Sequence, residues 1–298
     1  MPELPDITLY CEALEQRILG RRLERARLNS PFLLRSVEPR LEDAVGRDVT
    51  RLQRVGKRIA IGFDNDVWLI VHLMIAGRLY WRETAPRALT KQTALALDFA
   101  GGTLLLTEAG TRKRASLHLA RGRAGLEQHD PGGLELSAMT PADFYAALQR
   151  QNHTLKRALT DPRLFSGIGN AYSDEILHRA QLSPVTLTSR LSLEEAERLL
   201  RSARTVLSEW LQRLRAKTDG GFPERVTAFH DEMAVHGKFG KPCPVCGTKV
   251  QRIRYADNET NYCPRCQTGG RLLADRALSR LLKKDWPKSI DELERLEA

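Results

Sequence analysis

The sequence contains no stretch of about 18 consecutive apolar residues, the length that a membrane-spanning helix requires. Its amino terminus also lacks the basic segment and apolar run that mark a secretory signal. We therefore expect a cytoplasmic protein with reduced thiols and no membrane partner. Cysteine is scarce: four of the five cysteines form two close pairs near the carboxyl terminus, and Cys11 stands alone.

Acidic side chains are outnumbered by basic ones. The chain has 47 Lys and Arg against 37 Asp and Glu, which gives a formal net charge of +10. A surplus of this size favours a polyanionic partner, with nucleic acid ahead of an anionic membrane surface. The length of 298 residues fits two domains and a small appended module, and a hydrophobic content of 42% is enough to form real cores.

The spacing of apolar residues changes along the chain. Residues 6–20 place apolar side chains at helical intervals, which predicts a packed helix with Cys11 on its buried face. Residues 23–130 hold short strand-like runs between Gly, Pro and Asn, which predict a β-sandwich or barrel. The predicted strands include Arg58–Phe63, Val67–Leu73, Gly77–Trp81, Thr93–Phe99 and Thr103–Thr107, and the later predicted helices span 140–151, 154–160, 171–180, 192–216, 224–235 and 272–284.

Three polar segments lie between these elements. Thr140 and Asp143 resemble a capping box at the start of a helix. The Gly-Ile-Gly-Asn sequence at 167–170 allows a tight turn and places Asn170 at a helix start, where amide groups can donate to phosphate, although such a sequence is often only a turn. Residues 110–123 are rich in Arg and Lys and are interpreted as a loop that follows a phosphate backbone, with a solvated charged hairpin as the alternative.

The paired cysteines are the most specific local pattern. Two Cys-x-x-Cys knuckles are separated by residues 247–262, a spacing typical of a structural zinc site with four thiolate ligands. A reduced compartment argues against disulfides, and the absence of a surrounding βαβ pattern argues against a redox pair. The predicted zinc ligands are Cys243, Cys246, Cys263 and Cys266.

The first residues predict covalent chemistry of a particular kind. Removal of Met1 would leave Pro2 with a free secondary amine, and Glu3 follows directly. A terminal amine has an ordinary pKa of about 8, so it keeps a useful neutral fraction that can attack an aldehyde carbon and form an iminium. Taken alone, these residues favour an ordinary helix start with acidic groups in its first turn over a catalytic amine.

Taken together, these features resemble the formamidopyrimidine-DNA glycosylase/endonuclease VIII family from Pro2 to about Gln267. The resemblance rests on Pro-Glu-Leu-Pro at 2–5, Gly-Lys at 56–57, His-Leu-x-x-x-Gly at 72–77, Gly-Ile-Gly-Asn-x-Tyr at 167–172, Val-His-Gly-Lys at 235–238 and the cysteines. It implies an α+β multidomain fold: an amino-terminal helix with a β-sandwich, a helix–two-turn–helix domain, and a carboxyl-terminal zinc-finger β-hairpin. We expect the divisions 1–130, 131–238, 239–268 and a carboxyl-terminal extension at 269–298.

The resemblance also implies a mechanism and a partner. Damaged double-stranded DNA would bind to a monomer in the cleft between the domains, and the damaged nucleotide would flip out of the duplex. Pro2 would then displace the base at C1′, Glu3 would exchange a proton with the opening sugar, and elimination would cut the strand. Lys57 would contact the phosphate beside the lesion. The implied DNA contacts are Ile75, Arg112, Lys113, Lys156, Asn170, Tyr172, Lys238 and Asn258.

Three positions depart from the family pattern. Asn258 stands where the finger usually presents an arginine, so Arg252, Arg254 or Arg271 would have to supply the charge. Ile75, beside Met74, occupies the position that fills the gap left in the base stack. The third departure is the loop of residues 112–115, which has no aromatic wedge.

These departures keep two alternatives open beside a glycosylase and AP lyase for oxidised purines. One is a glycosylase of the same family that is specific for oxidised pyrimidines. The other is a zinc-containing protein that binds DNA or AP sites without removing a base.

Overall fold

The computed structural model describes residues 1–109, 112–224, 226–227, 229–255, 258–274, 280–281 and 286–297. It divides into two compact units. The first unit consists of Met1–Pro131 and Glu209–Ala228, and the second of Gly132–Ser208 and Phe229–Ala298. No helix in the described part of the chain is both long and apolar enough to cross a membrane.

The first unit contains two four-stranded antiparallel sheets among its described residues, which confirms the predicted β-sandwich. One sheet has the order β1-β6-β7-β5 and the other the order β2-β3-β4-β8. The strands are β1 (Leu23–Leu28), β2 (Val49–Val55), β3 (Arg58–Phe63), β4 (Val67–His72), β5 (Gly77–Arg82), β6 (Thr93–Phe99), β7 (Gly102–Glu108) and β8 (Ser116–Arg121).

Helix α1 (Leu4–Ile18) belongs to the same core, as its apolar spacing predicts. Ile7, Leu14 and Ile18 are completely buried, and Cys11 is 7% exposed. Burial of an aliphatic side chain of this size stabilises a fold by about 1.5–3 kcal/mol, so this face holds the amino terminus firmly. Burial also raises the pKa of the Cys11 thiol to about 12, which confirms its prediction as a small buried hydrophobe.

The second unit contains most of the remaining helices. Thr140 caps α3 as predicted, because its hydroxyl accepts the Asp143 N–H at 3.2 Å. Helix α5 begins at Asn170, as expected, and α6 continues past Ser208 into the first unit. The helices after the sandwich strands are α2 (Gly122–Glu127), α3 (Pro141–Gln149), α4 (Leu155–Thr160), α5 (Asn170–Arg179), α6 (Leu193–Thr218), α7 (Pro264–Thr268) and α8 (Ile290–Glu297).

Two sequence predictions are wrong. The described residues between 224 and 235 contain no helix; Val226 instead packs into the first unit's core as part of an irregular segment. The basic segment 110–123 is not a loop throughout, because residues 116–121 form β8, with Leu117 and Leu119 buried and paired to β4. Most of the predicted helix at 272–284 lies outside the described residues; of the described ones, Leu272–Ala274 are not helical, whereas residues 280–281 are.

The carboxyl-terminal hairpin consists of β9 (Gln251–Tyr255) and β10 (Asn258–Tyr262), paired antiparallel. It lies between the two cysteine knuckles in the chain, and Tyr262 is 1% exposed. The predicted zinc-finger β-hairpin is therefore confirmed.

Candidate active site and nucleic-acid interface

The amino terminus is buried and fixed in place. Pro2 is buried and Glu3 is 2% exposed, directly before α1. The Glu3 N–H donates to Asp6 Oδ2 at 2.8 Å, so the first helical turn holds the backbone beside Pro2. This arrangement suits a catalytic amine, because a nucleophile needs a supporting shell that fixes its direction.

Electrostatics around this terminus favour a neutral amine. Burial is the main cause that lowers the pKa of the Met1 amino group; Arg78 and Lys57 lower it further, while Glu3 and Asp6 oppose them. Burial also raises the pKa of Asp6 to about 7. A Pro2 amine exposed by loss of Met1 would therefore lie among the same two cations and two carboxyl groups.

Lys57 lies on the two-residue turn that joins β2 to β3, where Val55 pairs with Arg58. Gly56 has φ +59°, a left-handed conformation that glycine adopts without strain. Lys57 is one of the two cations that lower the pKa of the terminal amino group. Pro2 and Glu3 at the start of α1 and Lys57 on this turn belong to the same unit.

The turn from β4 to β5 presents Ile75, which is 58% exposed. The Gly77 N–H closes this turn on the Leu73 carbonyl at 2.9 Å, and a Cβ on Gly77 would lie only 2.3 Å from that oxygen. Arg78 Nη1 donates to the carbonyls of Ile75 at 3.0 Å and Gly77 at 2.7 Å. Ile75 is therefore an apolar side chain on a closed, braced turn.

The basic loop before β8 is organised by one buried carboxylate. Glu108 is 2% exposed, and its Oε1 accepts the N–H groups of Arg114 at 2.7 Å and Ala115 at 2.9 Å. Lys113 Nζ donates to the Glu108 carbonyl, while Arg112 is exposed. Of the predicted pair, Arg112 points to solvent and Lys113 is held back toward β7.

In the second unit, Asn170 and Lys156 meet at the start of α5. The Asn170 side chain donates to the Glu259 carbonyl at 2.9 Å, and Lys156 Nζ donates to the Asn170 carbonyl at 2.7 Å. Lys156 also forms a 2.5 Å ion pair with Asp174, whose side chain is fully buried. Tyr172 is 1% exposed, so it packs beneath this region.

Two neighbouring carboxylates attach the finger to α5. Glu175 accepts the N–H groups of Ala234, Val235 and His236 at 2.8–2.9 Å. Asp174 Oδ2 contacts His236 Nδ1 at 2.8 Å and accepts the Asn261 N–H at 3.2 Å. The segment that leads to Lys238 is therefore fixed from both sides. Lys238 lies 3.7 Å from Asp231.

The charge on the hairpin is partly neutralised. Asn258 is exposed at the start of β10. The next residue, Glu259, lies 3.2 Å from Arg252 and 3.3 Å from Arg254. The guanidinium of Arg252 also lies 4.0 Å from the centre of the Phe239 ring. The two strand arginines are thus already engaged, so they are poor substitutes for an arginine at position 258.

The four knuckle cysteines fit a tetrahedral zinc ion. Their sulfur atoms all lie within 4.8 Å of one another, with separations of 3.9 Å for Cys243–Cys266 and 3.4 Å for Cys246–Cys263. Zinc–sulfur bonds of about 2.3 Å put tetrahedral ligands about 3.8 Å apart. His178 Nε2 lies 3.2 Å from Cys243 Sγ and can orient that ligand. Four thiolates leave no open position, so the zinc is structural.

Sequence reasoning missed four residues that organise these sites: Arg78, Glu108, Asp174 and Glu175. The adjacent carboxylates Asp174 and Glu175 in the middle of α5 offered one signal, because burying carboxylates in a packed helix is costly unless they are paired. The buried Lys156–Asp174 pair had no comparable local pattern.

Comparison with known proteins supplies the family. Residues 1–117 match the formamidopyrimidine-DNA glycosylase N-terminal domain, residues 130–219 its H2TH domain, and residues 240–269 the zinc finger found in FPG and IleRS. A formamidopyrimidine-DNA glycosylase of Heliobacterium modesticaldum is 33% identical over 287 residues, covering 90% of this chain and all of that protein.

Solved structures of the same family resemble this chain over most of its length. The MutM (FPG) protein of Thermus thermophilus superposes with a TM-score of 0.75 at 31% identity, covering 89% of this chain and 98% of its own. The Lactococcus lactis FPG in complex with a FAPY-dG containing DNA gives a TM-score of 0.79 at 26% identity, over 89% of this chain and 100% of its own. The chain belongs to the formamidopyrimidine-DNA glycosylase family.

Proposed function

We propose that this protein is a base-excision-repair DNA glycosylase and AP lyase that removes oxidised bases, with Pro2 as nucleophile. The observation that carries the assignment is the buried, helix-anchored amino terminus beside Glu3 and Lys57. The partner is damaged double-stranded DNA, bound by a monomer in the cytoplasm. The expected preference is for formamidopyrimidine and 8-oxoguanine lesions.

The steps follow from the groups present. The neutral Pro2 nitrogen attacks C1′ of the flipped nucleotide, and the bond from C1′ to the base breaks, so that the base leaves after protonation. Glu3 gives a proton to O4′ as the sugar ring opens, which leaves an iminium on Pro2. The iminium makes the C2′ proton acidic; its loss expels the 3′ phosphate by β-elimination, and δ-elimination of the 5′ phosphate can follow. General acid–base catalysis by a positioned side chain of this kind typically accelerates a reaction by about 10²–10⁴-fold.

The DNA contacts divide between the two units. Lys57, Ile75, Arg112 and Lys113 are proposed contacts from the first unit. Asn170, Lys238 and Asn258 are proposed contacts from the second. Lys156 and Tyr172 lie deeper, with a Lys156 side chain that is 13% exposed and a Tyr172 that is 1% exposed, so we assign them to shaping this surface from below.

Borohydride trapping tests the assignment. Wild-type protein lacking Met1 should form a covalent adduct with duplexes that contain 8-oxoguanine or an AP site. An amino-terminally extended form, in which the Pro2 nitrogen is an amide, should form none; an adduct from that form would falsify the role of Pro2. Lys57→Gln should lower the yield, whereas Lys91→Gln, an exposed lysine of the same unit, should not.

The same assay separates the alternatives. An adduct with an oxidised-pyrimidine duplex but not with 8-oxoguanine would assign the pyrimidine branch. Trapping on the AP site alone would indicate a lyase without glycosylase activity. Tight binding with no adduct on any duplex would indicate a DNA-binding protein.

A further inference from the structure

The carboxyl-terminal extension lies outside the matched domains, which end at residue 269. Its described residues nevertheless form an ordered structure. The Leu272 N–H donates to the Lys288 carbonyl at 3.0 Å, and the Ile290 N–H donates to the Gly270 carbonyl at 2.8 Å, so two segments of the extension pair with each other. The Leu273 N–H donates to the Tyr262 hydroxyl at 2.7 Å, which attaches this pair to the finger.

Together with the finger hairpin and the start of α4, the extension lines an open pocket of about 890 Å³, here called the extension pocket. The lining residues that the structure describes all belong to the second unit. Its size suits one or two nucleotides, since small-ligand sites are typically about 300–1,000 Å³, and it is too small for a duplex.

The lining combines cations with an apolar floor. Lys156, Arg254, Arg271 and Lys288 line the pocket, and the lining residues that the structure describes include four cations and no carboxylate. Lys156 is paired with Asp174 and Arg254 with Glu259. Arg271 and Lys288 are exposed, and among the described residues neither side chain forms an ion pair, which distinguishes these two cations from Lys156 and Arg254.

The apolar part is suited to a flat ring. Trp286 is half-buried at the pocket wall, beside the buried Leu272 and Leu273. A tryptophan and two cations that line one pocket match the chemistry by which proteins hold unpaired nucleotides: bases stack on the aromatic ring while phosphates contact the cations.

We propose that the extension pocket binds a single-stranded DNA segment, with Arg271 and Lys288 on phosphate and Trp286 against a base. This proposal rests on the proposed function, which assigns Asn170 and Asn258 to DNA. Two lining residues adjoin them: Lys156 bonds to the Asn170 carbonyl, and Arg254 pairs with Glu259, the neighbour of Asn258. The extension would thus give this chain an unpaired-strand contact in addition to the duplex site.

The test measures binding of fluorescein-labelled oligothymidylate to the full-length, zinc-loaded protein over a range of salt concentrations. Arg271→Gln and Lys288→Gln should each weaken binding and reduce the slope of log K against log salt by about 0.7. Trp286→Ala should weaken binding by at least about fivefold, and Trp286→Phe should restore most of the loss. Arg295→Gln, an extension cation that does not line the pocket, is the matched control and should bind as wild type does.

If Arg271→Gln and Lys288→Gln bind oligothymidylate with the same affinity and salt dependence as wild type, the proposal is wrong. Equal competition by polyglutamate, together with no effect of Trp286→Ala, would also overturn it, since the pocket would then recognise charge alone. The experiments distinguish failure of this proposal from failure of the catalytic assignment. If wild-type protein binds oligothymidylate through Arg271 but traps no AP-site duplex, the catalytic assignment is wrong and the binding proposal stands.

Discussion

The side-chain amide of Asn170 donates to the backbone carbonyl of Glu259 at 2.9 Å, which joins the first residue of α5 to the finger hairpin. The bond fixes the position of Asn258, the residue directly before Glu259. Asn258, which is exposed, is therefore the residue of β10 directly before the one that binds Asn170, and a charge introduced at position 258 tests the proposed phosphate site.

Asn258→Arg should strengthen binding to AP-site duplex and make it more sensitive to salt. One added phosphate contact steepens the slope of log K against log salt by about 0.9 for duplex DNA. Fluorescence anisotropy across a salt series measures the slope, and Asn258→Gln is the uncharged control. An unchanged slope in Asn258→Arg would show that position 258 does not face phosphate.

Asp174→Asn should destabilise the second unit markedly. The substitution leaves the Lys156 ammonium without its buried counter-charge, and breaking such a pair costs about 3–5 kcal/mol. Urea denaturation measures the loss. Glu197→Gln breaks an exposed pair with Arg201 one helical turn away and should cost only about 0.3–0.5 kcal/mol. Equal losses in the two variants would contradict a structural role for the buried pair.

The sequence predicted features whose signal is local. The cysteine spacing, the start of α5 at Asn170 and the Thr140 cap each depend on residues a few positions apart, and the structure contains all three. The short strand-like runs of β3 and β6 likewise predicted the bounds of these strands without error.

Features that depend on distant partners were not predictable. Asp174 contacts His236 across 62 positions, and no spacing in the sequence indicates that pairing. The false helix at 224–235 has the same origin, because Val226 packs into the first unit's core against residues that are distant in the sequence. Tertiary burial overrode the local pattern there.

Zinc content should depend on the knuckle cysteines and not on Cys11. Cys246 is exposed, so Cys246→Ala removes little packing, and a loss of bound zinc in that variant reports on ligation. Wild type and Cys11→Ala should each hold about one zinc ion per chain by metal analysis. Retention of a full zinc complement by Cys246→Ala would contradict the four-cysteine site.

Stability should fall as pH rises through the titration of Asp6. Burial raises the pKa of this carboxyl from 3.8 to about 7, so the folded state holds a proton that the unfolded state releases. The stabilising contribution is complete below pH about 4 and is lost as pH rises through about 7, a change on the order of 2–4 kcal/mol. Asp6→Asn should lose less stability than wild type between pH 5 and pH 8 in urea denaturation. If the free energy of unfolding varies with pH in the same way in both proteins, the pKa of Asp6 is not raised.

Ile75→Ala should impair base release from damaged duplex DNA while leaving the fold intact. The side chain is 58% exposed on a braced turn, so its removal opens no cavity in the core. Flipping a nucleotide costs a few kcal/mol of stacking, and an inserted apolar side chain recovers part of that cost. We expect single-turnover base release to slow by about tenfold or more, with a smaller effect on trapping of a single-stranded AP site. Phe32→Ala removes another exposed apolar side chain of the same unit and is the matched control. Equal rates for Ile75→Ala and Phe32→Ala would exclude Ile75 from the gap left by the flipped base.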